Sequence, residues 1–218
     1  MITAKNIIFD LGGVLVDLNM SGMHQACAKL GIDPGMLFVK STDEKAATVC
    51  QGMSASKVIS DYQVGKMTTE EFVNVVMRLC KPGTTPEEVK NAWNSCLGEV
   101  PTERIMLIKK LREMGHRTFL LSNTNDLHWE YTKQKCFNQE GMTADDLFDI
   151  AFVSHEVRLA KPDGEIYRHV IQEIGDDASD CLFIDDALLN VEAAKREGMQ
   201  AEWLDLSKED TVTLFNRL

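Results

Sequence analysis

From Ile7 the chain runs Ile7-Ile8-Phe9 with no polar alternation and stops on Asp10, after which Gly12 and Gly13 open a loop. An unalternated apolar run of this length predicts a strand buried on both faces, the kind found in parallel sheets. The same grammar returns further along. Arg117 to Leu121 predicts a strand that ends at Ser122-Asn123-Thr124-Asn125, Ile150 to Val153 a third, and Cys181 to Ile184 a fourth that ends on Asp185-Asp186. Gln200 to Leu204 predicts the last. Between them lie helical patterns: Thr102 to Met114, with Ile105, Ile108 and Leu111 on one face and Gly115 as its stop; Ile166 to Ile174; and Val191 to Glu197, closed by Gly198. Strands alternating with helices imply right-handed crossovers and a parallel sheet covered by helices.

Between the first strand and Thr102 the pattern is different. Thr68-x-x-Glu71 is a capping box followed by Phe72, Val75, Val76 and Leu79 at helical spacing. Thr85-Pro86-Glu87-Glu88 is a second, with proline at the first helical position and Val89, Ala92, Trp93 and Cys96 behind it. Met23 to Leu30 and Ser54 to Tyr62 also read as helices. These stripes are core packing rather than a cofactor box, and no strand is expected from about Met20 to Gly98. The expected fold is α/β, a Rossmann-like parallel sheet core flanked by helices, with an inserted α-helical cap. The expected division is a core of residues 1–19 and 99–218 and a helical cap of residues 20–98. The cap is expected to move as a lid, hinged near Val16 to Met20 and Gly98 to Pro101.

Charge and composition narrow the function. A length of 218 residues suits one α/β domain with an insert. A net charge of −11 repels polyanions, so neither nucleic acid nor an anionic membrane is an expected partner. A small anion held by a lysine, backbone amides and a metal is compatible with that field. No apolar stretch approaches the roughly 20 residues of a membrane span. The first strand begins so early that no signal peptide is expected. Cys27, Cys50, Cys80, Cys96, Cys136 and Cys181 show no C-x-x-C spacing and lie mostly in apolar patterns, reading as reduced, buried thiols rather than a zinc site or a catalytic thiol. The expected location is cytoplasmic, and the expected state a monomer or weak homodimer.

The chemistry is expected where strands end, because ligands of open α/β sheets bind outside the carboxyl ends of the strands. Asp10 sits at one such end, and Asp185 and Asp186 at another. Two adjacent carboxylates after a buried strand repel each other unless a cation neutralises them, which favours Mg²⁺. Asn190, one helical turn beyond Asp186, is placed to orient that cluster. Ser122 and Asn123 offer a hydroxyl, an amide and unpaired backbone N–H groups suited to anionic oxygens. Lys161 is followed by Pro162, which restricts its backbone to extended forms. Taken singly, each of these is ordinary turn or surface chemistry.

Taken in order, Asp10, Ser122, Lys161 and Asp185-Asp186 resemble the motifs of the haloacid dehalogenase (HAD) superfamily, over essentially the whole chain. The strings FDLGGVLVD, LLSNTN, KPDGEIY and FIDDALLN are further similar to those of the alpha-D-glucose-1-phosphate phosphatases of that superfamily. The resemblance implies a Mg²⁺-dependent phosphoric monoester hydrolase. Asp10 would be the nucleophile that becomes an aspartyl-phosphate, and also a metal ligand. Ser122, with Asn123 beside it, would hold the phosphoryl group, and Lys161 would pair with nucleophile and phosphate. Asp186 would bind the metal directly, partnered by Asn190, with Asp185 direct or through water and the Gly12 carbonyl completing the protein ligands. The substrate implied is a small phosphorylated metabolite, a sugar phosphate such as glucose 1-phosphate.

Two positions depart from the superfamily pattern. Gly12 stands where most of its phosphatases carry a second aspartate, the general acid and base; the glucose-1-phosphatase-like members share the glycine. Asp17 is a candidate stand-in, against its simpler reading as a turn residue. Arg158 stands where many relatives have glycine, either as a surface change, the favoured reading, or as an extra cation. The alternative to an enzyme is a non-catalytic phospho-metabolite-binding or regulatory protein. A metal-independent dehalogenase is disfavoured by the paired aspartates, and a phosphomutase by the missing carboxylate.

Overall fold

The computed structural model describes residues 2–32 and 55–218. Five strands form one sheet: β1 (Asn6–Phe9), β2 (Arg117–Ser122), β3 (Ile150–Val153), β4 (Cys181–Asp185) and β5 (Gln200–Trp203). Their order is β3-β2-β1-β4-β5, and every pairing is parallel. Phe9 lies beside Leu120 on one flank and Ile184 on the other, so the central strand ends two residues short of β2 and one short of β4. The absence of alternation in β1 has a direct cause. Ile7 and Phe9 enter a hydrophobic cluster with Ile105, Ile108, Leu111 and Phe215, while Ile8 enters another with Phe119, Tyr167, Val170 and Phe183. Helices cover both faces, so both faces must be apolar.

The helices, numbered over the described residues, are α1 (Met20–Lys29), α2 (Ala55–Gln63), α3 (Thr69–Met77), α4 (Pro86–Asn94), α5 (Thr102–Glu113), α6 (Asp126–Tyr131), α7 (Ala144–Leu147), α8 (Ser154–Val157), α9 (Gly164–Ile174), α10 (Leu188–Arg196) and α11 (Thr211–Arg217). None is long and apolar enough to cross a membrane. Both capping boxes form: Thr68 and Glu71 close the start of α3, and Thr85 and Glu88 that of α4. The apolar stripes of α1 to α4 face one another. Met23, Cys27, Val58, Tyr62, Phe72, Val76, Val89 and Trp93 make a cluster distinct from the two that sandwich the sheet. Cys50 and Ser54 lie outside the described residues.

Two segments join this helical layer to the sheet, and they pair with each other. Gly98 N donates to Asp17 O at 2.7 Å, Asp17 N to Glu99 O at 3.0 Å and Asn19 N to Cys96 O at 2.7 Å, with Leu18 and Leu97 opposed in an antiparallel bridge. The connection is therefore one short ribbon. A Cβ on Gly98 would lie 2.8 Å from Asp17 O, so this close approach needs glycine.

Candidate active site

The strand order reverses between β1 and β4, since the chain leaves β1 for β2 and β3 on one side and crosses back to β4 on the other. Such a switch point leaves a crevice outside the strand ends. Asp10 follows β1, and its N–H donates to Ile184 O at 2.9 Å, which fixes its backbone on the rim of β4. Asp185 is the last residue of β4 and Asp186 the next. Carboxylate oxygens of Asp10, Asp185 and Asp186 all lie within 4.8 Å of one another, the only such grouping of potential metal ligands among the described residues.

One cation stands among them. Lys161 Nζ is 2.8 Å from Asp10 Oδ1 and 2.7 Å from Asp185 Oδ2, and it donates a third bond to Leu121 O at 3.0 Å. All three ammonium donors are thus taken by the protein. Burial works against the Lys161 charge, but Asp10 and Asp185 outweigh it and the pKa is raised. Burial pushes the Asp10 carboxyl up to about 6; Lys161 opposes this and Asp185 adds to it. Burial also raises Asp186, with Asp185 contributing. Three carboxylates against one ammonium leave the site short of positive charge. That deficit, and a donor set made wholly of oxygen, fits a hard divalent cation.

The two adjacent aspartates differ in surroundings. Asp185 is fully buried; besides Lys161 it accepts from Ala187 N at 2.7 Å and from Asn190 Nδ2 at 3.0 Å on each oxygen. Asp186 is half-buried and lines the cavity. The Asn190 partner is therefore Asp185, not Asp186 as the spacing led us to expect. The amide reaches back under the loop to the strand-end carboxylate, leaving Asp186 turned toward the opening.

The cavity, of about 290 Å³, is lined by Asp10, Gly12, Ser122, Asn123, Lys161 and Asp186 on its polar side. Ser122 is buried at the end of β2 and opens on this space. Asn123 is bolted to the lysine loop, its Nδ2 donating to Lys161 O at 2.8 Å and its Oδ1 accepting from Lys161 N at 2.9 Å. Gly13 has φ +78°, and a Cβ there would sit 2.9 Å from Asp186 Oδ2. Glycine is required at that point. Gly12 is different: a Cβ would meet only Leu18, at 3.4 Å, an ordinary contact.

Neither Asp17 nor Arg158 lines the cavity. Asp17 is ion-paired with Arg104 at 2.8 Å, beside the ribbon. Arg158 is exposed and ends α8 with φ 59°, a left-handed conformation that glycine adopts without cost. That conformation would account for the glycine that the family resemblance implies at this place. It makes Arg158 a surface change.

Spacing gave no sign of the other wall. Leu18, Cys96, Leu97 and His128 also line the cavity. Burial pushes the Cys96 thiol up to about 12, which disfavours its thiolate. Burial pulls His128 down to about 4, against the opposing effect of the Trp93 carbonyl.

A haloacid dehalogenase-like hydrolase family model matches residues 4–198. The chain is 31% identical over 196 residues to the D-ribitol-5-phosphate phosphatase of Bacteroides thetaiotaomicron, covering 90% of this chain and 89% of that one. It is 27% identical to the sesquiterpene phosphatase astK of Aspergillus oryzae, over 90% and 88% of the two chains. Among solved structures, a HAD family enzyme of Bacteroides thetaiotaomicron in complex with magnesium and inorganic phosphate superposes with a TM-score of 0.83 at 29% identity, covering 97% of this chain and 99% of that one.

Proposed function

The chain belongs to the haloacid dehalogenase-like hydrolases, and from that premise we propose that it is a Mg²⁺-dependent phosphatase acting on a small phosphorylated metabolite, a sugar or polyol phosphate, through an aspartyl-phosphate on Asp10. The observation that carries this reading is the convergence of Asp10, Asp185, Asp186 and Lys161 at the strand-order reversal, beside a cavity that Ser122 and Asn123 also line. The metal would be held by Asp10, Asp186 and the Gly12 carbonyl, with Asp185 behind them, and when bound it neutralises phosphate and carboxylate charge. The relative solved with magnesium and inorganic phosphate supports that assignment.

The remaining steps belong to the side chains. An Asp10 carboxylate oxygen attacks phosphorus, the bond from phosphorus to the ester oxygen breaks, and the alcohol leaves. Water then attacks the phosphorus of the acyl phosphate, freeing inorganic phosphate and restoring Asp10. Lys161 holds the nucleophile in place and offsets its charge, so it acts chiefly through Asp10 and Asp185; reaching the phosphate requires exchanging one of its three bonds. Ser122 and Asn123 supply donors to the phosphoryl oxygens. These are contributions of position and electrostatics.

With Gly12 in place of a carboxylic acid, the departing alcohol draws its proton from water. Leaving groups of low pKa are favoured, which is the case for sugar 1-phosphates such as glucose 1-phosphate. The ribitol-phosphate relative supports the wider class of sugar and polyol phosphates. A division into a core of residues 1–19 and 99–218 and a cap of residues 20–98 is supported by the separate hydrophobic cluster of α1 to α4. The free thiols of Cys27, Cys80, Cys96, Cys136 and Cys181 support a cytoplasmic location.

Phosphate release over a panel of phosphorylated metabolites, with and without Mg²⁺, tests the reading. Metal-dependent release that Asp10→Asn abolishes is expected. Phosphate binding without release across the panel would instead establish a non-catalytic binder.

A further inference from the structure

The mechanism leaves unused the buried Asn125 and its half-buried partner His128. Asn125 is wholly buried; its Oδ1 accepts from Trp93 Nε1 at 3.3 Å and from His128 N at 3.1 Å, and its Nδ2 lies 3.2 Å from His128 Nδ1. His128 Nε2 is 3.1 Å from Trp93 O, and the two rings stack with centroids 5.1 Å apart. A carbonyl only accepts, so Nε2 carries the proton and Nδ1 accepts from Asn125. Every nitrogen and oxygen in this trio has its partner.

What the trio joins is the point. Trp93 belongs to α4, and Cys96 and Leu97, just beyond it, line the cavity. Asn125 and His128 belong to the segment that starts at Ser122. That segment is stiff: Asn123 is tied to Lys161 in both directions, and Thr124 N donates to Ser154 Oγ at 2.9 Å. One run of chain therefore holds phosphate-facing donors at one end and the helical layer at the other. The layer also meets the core at the adjacent Leu18–Leu97 ribbon, through Tyr62 Oη, which accepts from Leu127 N at 3.2 Å, and through Thr69 Oγ1, which donates to Asp126 Oδ2 at 2.6 Å.

We propose that Asn125 and His128 are positioning residues that couple occupation of the phosphate site to docking of the helical layer, through Trp93. Phosphate adds to the bonds that already fix Ser122–Thr124, the firmer segment holds the clasp closed, and the clasp keeps Cys96 and Leu97 at the wall of the cavity. Such coupling is reciprocal, so closure also tightens phosphate binding. The inference rests on the phosphate-site reading above.

The test is amide hydrogen exchange on the Mg²⁺-loaded protein with and without inorganic phosphate, for wild type, His128→Phe and Trp93→Phe. His128→Phe keeps a ring on Trp93 and loses both nitrogen bonds; Trp93→Phe removes one donor at little cost in volume, and decides the matter should the first variant fail to fold. In wild type, phosphate slows exchange at residues 122–124 and, by about fivefold, at residues 86–97, the scale of one or two hydrogen bonds. In the variants the protection at residues 122–124 persists and that at 86–97 is lost. A merely structural role lowers Tm and leaves the phosphate effect on residues 86–97 in place, which overturns the proposal. Absence of any protection at residues 122–124 in wild type overturns the phosphate-site reading itself, and this inference with it.

Discussion

Asp10 is held in a state that is readily titrated. Burial raises its pKa to about 6, above the ordinary carboxylate value, so the nucleophilic role proposed for it requires a pH above that value. The acid limb of kcat/KM, measured at limiting Mg²⁺, is expected to fall with an apparent pKa near 6 and to move lower as Mg²⁺ is raised, because proton and cation compete for one carboxylate. A limb independent of Mg²⁺ would place the titration elsewhere. Gly12 gives a second test. Its Cβ position is free but for Leu18, so Gly12→Asp is sterically permitted. Wild type is expected to show rates that climb steeply with leaving-group acidity over a series of phosphate esters, and Gly12→Asp a flatter series. A flat wild-type series, with phosphoryl transfer limiting, would mean that another group supplies the proton.

At the scale of elements, much of the chain could be read in advance, for reasons that differ from place to place. Strands β1, β2 and β4 announced themselves because burial on both faces leaves no room for polar alternation, as in Ile7-Ile8-Phe9, whereas the edge strand β5 keeps polar Gln200 and Glu202. Helices α3 and α4 were legible through their capping boxes, local chemistry that needs no tertiary context. By contrast, α6 and the π-helix that follows it, Thr132–Cys136, have no such signal. Their polar side chains are satisfied by distant partners: Asn125 by Trp93, and Gln139 just beyond by the Val100 carbonyl. The C-terminal α11 was also missed; its buried Thr211 donates to Val14 O, a contact that spacing along the chain does not encode. Of the cavity, the carboxylates were legible because strand ends are fixed by the sheet, and Lys161 through the ordered motifs that carry the family resemblance. The wall of Leu18, Cys96, Leu97 and His128 was not, since it depends on how two layers meet.

Gly65 marks that meeting. Its φ is +67° and a Cβ would lie 2.1 Å from His155 O, while nearby Ser154 Oγ donates to Gln63 O at 2.5 Å. Gly65→Ala is expected to destabilise the protein by about 1–3 kcal/mol, combining backbone strain with a clash across the layers. Thermal unfolding checks this; an unchanged Tm would show that the contact is readily rearranged.

The molecule as a whole carries a net charge of −11, yet the role proposed for its site requires it to hold an anion. The long-range field repels phosphate esters, so recognition falls to short-range groups: the lysine, the strand-end donors and a divalent cation drawn by three carboxylates. Removing the cation leaves those carboxylates facing one another with a single ammonium between them. Chelation is therefore expected to abolish turnover and lower Tm at pH 7, with Mg²⁺ restoring both; activity unaffected by chelation would exclude the assigned role of the acidic cluster.

The central claim is that Asp10 carries the phosphoryl group. Quenching the enzyme during turnover of p-nitrophenyl phosphate with borohydride reduces an acyl phosphate to the alcohol. Mass spectrometry of the peptide containing Asp10 should then find homoserine at that position in wild type with Mg²⁺. Steady turnover with an unmodified Asp10, or reduction at another carboxylate, would contradict the account.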